Sequence, residues 1–219
     1  NEKRPHILDA NTEKLLTEAQ DALSTPSNVY GMFSNADLEF EDAIDKDGQA
    51  YPLTQGTFIK YLESDDRELR ASAFRNVYKA YGAHNNTLGA TLAGEVKKNV
   101  FNARTHHYRS ARERALSNNH IPEAVYDNLI KTVHKYLPLL HRYTKLRQEL
   151  LGLDDLKMYD LYTPLVKDVK FEMPYEEAKS WMLKALEPMG EEYLNVVKEG
   201  LDNRWVDVYE NKGKRSGGY

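Results

Sequence analysis

Asp65-Asp66-Arg67-Glu68-Leu69-Arg70-Ala71-Ser72-Ala73-Phe74-Arg75-Asn76-Val77-Tyr78-Lys79-Ala80-Tyr81 is the stretch whose reading decides the fold class. Leu69, Ala73, Val77 and Tyr81 recur every four residues, the spacing that places side chains on one face of an α-helix. After Gly82 the series resumes as Leu88, Leu92, Val96 and Val100. Two long helices, or one bent at Gly82, satisfy the pattern equally well. Asp65 followed by Glu68 resembles a capping box with Asp in the place of Ser or Thr, which marks where the tract begins.

Helical signals continue on both sides. Toward the N-terminus, Asn11 can cap a helix with the apolar face Leu15, Leu16, Ala19, Ala22 and Leu23, and Ser24-Thr25-Pro26 ends it. Toward the C-terminus, Ser110 and Glu113 form a second capping box for a short helix. Pro122 then sits at a helix start, and Val125, Leu129, Val133, Leu137, Leu140, Leu146 and Leu150 run to a terminator at Gly152, with Pro138 expected to kink the helix. Pro174 opens a further amphipathic helix bearing Ala178, Met182, Ala185 and Leu186. Pro188 and Gly190 interrupt it before Tyr193, Leu194 and Val197 continue to Gly200. The texture changes twice. Leu38–Ala43 and Gln49–Leu53 flank Asp45-Lys46-Asp47-Gly48, a β-hairpin turn in which Gly48 is free to take positive φ, and Pro52 keeps the second strand short or at an edge. Met158–Leu165 is irregular and strand-like, and Trp205-Val206-Asp207-Val208-Tyr209 reads as a strand. The fold class is therefore mainly α: a long-helix bundle with a small β-hairpin near 38–53 and a short strand near 205–209.

Composition narrows function before any motif is considered. The 219 residues carry 30 Lys+Arg against 34 Asp+Glu, a net charge of -4, which disfavours capture by nucleic acid or an anionic membrane. No apolar run approaches the ~20 residues of a membrane span. The absence of Cys excludes disulfides, thiolate metal ligands and a cysteine nucleophile, and suits the cytoplasm. The 15 Tyr fit a cleft that binds peptides or sugars, although tyrosines with one wet edge between helices are the simpler account.

A search for reaction chemistry finds none. The helix-borne zinc pattern, two His at i and i+4 with Glu after the first, is absent. His134 and His141 are two turns apart, and His106-His107 point about 100° apart on a helix. Gly213-Lys214-Arg215-Ser216 lacks the earlier glycine of a phosphate-binding loop, because Val208 stands there. Lys212, Lys214 and Arg215 can still grip a carboxylate, with a solvated turn as the plainer reading. Nucleic-acid contact through the same three cations would have to work against the net charge. The pairs Asp65-Asp66, Asp154-Asp155 and Glu191-Glu192 stand at helix starts or in turns, where they complement the helix dipole.

Several segments read together add what none gives alone: Asn35-Ala36-Asp37-Leu38, Tyr61–Arg67, Asn118-Asn119-His120-Ile121-Pro122, Leu139–Tyr143, Met158–Leu165, and Trp205–Tyr219. In this order, from about Asn35 to Tyr219, the chain resembles oligoendopeptidase F. That resemblance implies a cytoplasmic zinc metalloendopeptidase that cuts short peptides in a deep, mostly helical cleft. In the family a His-Glu-x-x-His helix and a later Glu hold the zinc, which polarises the scissile carbonyl and lowers the pKa of its water. None of those residues occurs here, so the chain reads as an internal fragment, inactive alone, with no catalytic residue and no metal ligand of its own. The family's leading helical region is also expected to precede Asn1. Residues 1–157 are then a helical region with an inserted hairpin, and 158–219 the start of a catalytic-domain cleft wall. Tyr209, Arg215, Ser216, Gly217 and Tyr219 are the implied contacts to an oligopeptide substrate. Core faces left open by missing neighbours would favour self-association. The alternative, from another class, is a non-catalytic helical module whose tyrosine-rich groove captures peptides.

Overall fold

A computed structural model of the chain describes residues 3–166, 173–209 and 214. These residues are mainly α-helical, and they divide into two compact units, one within residues 3–165 and one within 166–214.

In the larger unit α1 (Ala10–Leu23) and α2 (Thr25–Met32) follow each other directly, with Pro26 in the first turn of α2. The cap of α1 is Asp9 rather than Asn11: its carboxylate accepts from the Asn11 and Thr12 amides. A π-helical turn, Phe33–Asp37, ends this segment. The strands β1 (Ala43–Ile44) and β2 (Ala50–Tyr51) pair antiparallel, Ala43 opposite Tyr51, around a turn in which Gly48 has φ +81°. Asp45 holds the turn by accepting from the Asp47 and Gln49 amides. β2 stops just before Pro52, as the missing amide of proline requires.

Such a short hairpin is unstable alone. It is completed by α3 (Gln55–Leu62) and α4 (Arg67–Gly82), whose Leu69, Ala73 and Val77 form the buried core with Ala43 and Leu53. Ser72, buried on α4, accepts from the Ile44 amide at 2.9 Å and so fixes β1 to the helix. The cap of α4 is Asp66, one residue beyond the position the sequence favoured. Gly82 ends the helix, so the tract is two helices, α4 and α5 (Asn85–Thr105).

α6 (Ala111–Ser117) is capped by Ser110, which accepts from the Glu113 amide. The Glu113 carboxylate turns to Arg109 instead of closing the box. α7 (Glu123–Leu151) is continuous through Pro138 and ends at Gly152 in the left-handed conformation, φ +65°. A 3₁₀ turn, Met158–Asp160, stands where a strand-like segment was expected.

The smaller unit contains α8 (Tyr175–Ala185) and α9 (Glu191–Asp202), clasped by Lys179, which donates to Asp202 at 2.8 Å. The strand expected at 205–209 is not formed. Arg204 takes the left-handed conformation, φ +62°, and the Trp205 amide donates back to Gly200 O at 3.1 Å, closing the end of α9. The β-branched pattern at 206–208 has no neighbouring strand among the described residues to supply a ladder, and an isolated strand has no hydrogen bonds of its own.

Candidate functional site

Of the five residues expected to touch substrate, Tyr209 is described and Arg215, Ser216, Gly217 and Tyr219 lie outside the described residues. Tyr209 is exposed, 73% of its surface open to solvent. Lys214 folds back on this segment: its ammonium donates to the carbonyl oxygens of Asp207 (2.5 Å) and Tyr209 (2.9 Å) and lies 3.4 Å from the Asp207 carboxylate. One of the three cations expected to meet a carboxylate is thus used to pin residues 207–209. Among the described residues no three His, Asp or Glu side chains are grouped to hold a metal ion. His6 and His106 instead use ring nitrogens on backbone carbonyls, those of His106 and Asn102. The described residues therefore do not fit zinc, and no catalytic step is assigned to them.

The strongest electrostatic construction lies in the larger unit, and sequence reasoning did not find it. Asp160, wholly buried, receives Arg67 Nε at 3.2 Å and Nη2 at 2.9 Å, Arg70 Nη2 at 2.8 Å and the Lys157 amide at 2.9 Å. Arg147, from the last turns of α7, donates to the carbonyls of Asp160 (3.1 Å) and Thr163 (2.6 Å). Burial acts to raise the Asp160 pKa, but the Arg67 and Arg70 guanidiniums and the Lys157 amide outweigh it and hold the carboxyl below its ordinary range. Arg67 also covers the ring of Tyr159 at 5.6 Å. The cluster ties the start of α4 and the end of α7 to residues 157–163, which otherwise have little regular structure.

One signal for it was legible. Arg147 falls on the same arc of α7 as Leu140 and Tyr143, where an apolar residue is the rule, so its charge breaks the pattern of its own helix. Arg70, beside Leu69 on α4, gives no such clue.

The family model described as "Peptidase family M3" matches residues 60–219, and that described as "Oligopeptidase F" matches residues 1–40. Oligopeptidase PepF of Bacillus subtilis is 57% identical over 99% of this chain and 32% of its own length. Group B oligopeptidase PepB of Streptococcus agalactiae is 46% identical, over 99% of this chain and 36% of its own. The crystal structure of oligoendopeptidase-F from Enterococcus faecium superposes with a TM-score of 0.73 at 42% identity, covering 92% of this chain and 38% of that one. The chain spans about a third of the length of these relatives.

Proposed function

The chain belongs to peptidase family M3, and from that premise we propose that it is part of a zinc-dependent endopeptidase that hydrolyses short peptides in the cytoplasm. The supporting observation is the M3 match over residues 60–219, which agrees with the resemblance to oligoendopeptidase F carried by Met158–Leu165 and Trp205–Tyr219. In this reading the metal ligands and the general base belong to polypeptide outside the 219 residues. The chain supplies framework in residues 1–157 and the beginning of the cleft wall in 158–219. Tyr209, Arg215, Ser216, Gly217 and Tyr219 contact the oligopeptide there. The cluster around Asp160 ties residues 157–163, where that segment begins, to α4 and α7.

The test is direct. The purified 219-residue chain, incubated with zinc, should leave a quenched fluorescent peptide intact, whereas the full-length protein should cleave it and lose that activity to a chelator. Chelator-sensitive cleavage by the 219-residue chain would overturn the assignment of chemistry. The same reading accounts for the open apolar face of α7, where Leu129 and Leu140 are more than half exposed. In the isolated chain that face drives self-association.

A further inference from the structure

From Asn128 to Gln148 the helix α7 contains no acidic residue, although Asp and Glu supply 34 of the 219 residues of the chain. It carries Lys131, Lys135, Arg142, Lys145 and Arg147 instead. Arg147 is consumed by the cluster around Asp160, and the other four are exposed. At 100° per residue those four fall within an arc of about 80°, and at 1.5 Å per residue they extend over about 21 Å of helix. They form one stripe.

Elsewhere in the larger unit exposed cations are matched with acids. Arg109 and Arg112 share Glu123, Arg112 also reaches Asp127, Lys79 meets Glu41 and Lys157 meets Asp155. The stripe is different: among the described residues none of its four cations meets a carboxylate, and Lys135 lies over the ring of Tyr136 at 5.4 Å. Lys131 and Lys135 stand four residues apart, and Arg142 and Lys145 three, spacings at which like charges on a helix repel. An anion outside the protein would relieve that repulsion. Leu129, Val133, Tyr136 and Leu140 occupy the opposite side of the helix, so whatever covers that apolar face leaves the stripe outward. Along one edge, next to Lys135 and Arg142, stand Leu139 and Leu146, 54% and 48% exposed.

We propose that this arc of α7 docks the protein reversibly on an anionic phospholipid surface. A plane of headgroup phosphates meets all four cations at once, which a compact anion cannot, and Leu139 and Leu146 are placed to enter the level just below the headgroups. A nucleic-acid strand would need aromatic rings among the cations to stack its bases, and Tyr136 and Tyr143 lie outside the arc. The net charge of -4 argued against a membrane for the chain as a whole. At physiological ionic strength, however, charges are screened beyond about 8 Å, so a surface touching α7 responds to the stripe and to little else. The inference concerns where the protein sits, needs neither metal nor hydrolysis, and so goes beyond the peptidase reading.

The full-length protein is sedimented with vesicles of phosphatidylcholine alone and of phosphatidylcholine mixed with phosphatidylglycerol. It should bind the mixed vesicles and not the neutral ones, and rising salt should release it. Each cation at an anionic surface contributes about fivefold in affinity, so Lys131→Gln with Lys135→Gln should weaken binding by about 25-fold. Gln keeps nearly the helix propensity of Lys, and circular dichroism checks that the fold is intact. Lys60→Gln with Lys97→Gln removes the same charge from exposed positions on α3 and α5 and should leave vesicle binding unchanged. No binding to the mixed vesicles, or equal loss in the two double variants, overturns the proposal. Binding of poly(U) RNA as tight as that of the mixed vesicles overturns it too, and would make the stripe a nucleic-acid contact. Peptide cleavage without vesicles should be unaffected in Lys131→Gln with Lys135→Gln, so the docking and the peptidase reading fail separately.

Discussion

Replacing Asp160 with Asn removes one charge and almost no volume from the most buried ionic group of the larger unit. The side chain is fully buried, and Arg70, its closer partner at 2.8 Å, has only 4% of its side chain exposed. Arg67, at 2.9 Å, is 39% exposed and can recover much of its hydration. The cost therefore falls mainly on Arg70, whose charge is left buried without a counter-ion. Breaking a buried pair from one side costs about 3–5 kcal/mol. Asn keeps one oxygen for a guanidinium, but its NH2 faces two donors in either orientation, Arg67 Nη2 and the Lys157 amide at one position or Arg67 Nε and Arg70 Nη2 at the other, and clashes with them as donor against donor. We expect a loss of about 3 kcal/mol, near the lower end because one acceptor survives. With a urea dependence of about 2 kcal/mol per molar, the midpoint followed by far-UV circular dichroism at pH 7 should fall by about 1.5 M. Arg70→Met supplies the control: in the Asp160→Asn background it should cost less than in wild type, because it removes the orphaned charge. A midpoint shift below about 0.3 M, or strict additivity of the two substitutions, would refute this account of the cluster.

Acid should weaken the same cluster. The folded Asp160 carboxyl titrates below its unfolded value of about 3.9, so its contribution is complete above that pH and is lost as pH falls through the lower folded value; Asp160→Asn should flatten this part of the stability profile, measured by urea titrations from pH 7 to 2. Gly94→Ala places a β-carbon 2.7 Å from the stiff Pro26 ring and should cost about 1–3 kcal/mol by forcing α2 from α5; an unchanged thermal midpoint would mean the helices part without strain. Sedimentation of the isolated chain should show association that rises with concentration, and Leu129→Glu with Leu140→Glu should lower it; a monomer at all concentrations would show that the exposed face of α7 is tolerated in water.

What the sequence made legible was local geometry with a steric cause. Gly48 and Gly152 have positive φ because a turn and a helix end demand it, and Ser110 caps α6 because its hydroxyl reaches the amide three residues on. Where two residues could serve, the pattern erred by small steps. Asp9 replaces Asn11 and Asp66 replaces Asp65, since helix entry is decided by which backbone first leaves the extended region, and composition is nearly indifferent to that. The hairpin turn and its antiparallel pairing were read correctly, although the first strand is Ala43–Ile44 rather than 38–43 and the second is only Ala50–Tyr51, whereas the strand expected at 205–209 is not formed. The difference lies in the partner: β1 has β2 and the Ser72 hydroxyl, while Trp205 turns back onto Gly200.

The same distinction governs the long helices and the candidate site. The four-residue series on α4 and the one on α5 look equivalent in sequence, yet Ala73 is wholly buried while Leu92 and Val96 stand open. Periodicity reports that a helix has an apolar face; it carries no record of what lies against that face. The Asp160 cluster was hidden for a related reason, because Arg67 and Arg70 are separated from Asp160 by about ninety positions and their attraction leaves no periodic trace. Only Arg147, a charge set into an apolar arc, announced itself. A buried ion pair between distant segments is therefore found from sequence through the member that violates its own helix pattern, and the partner then has to be sought among the carboxylates of irregular segments such as Met158–Asp160.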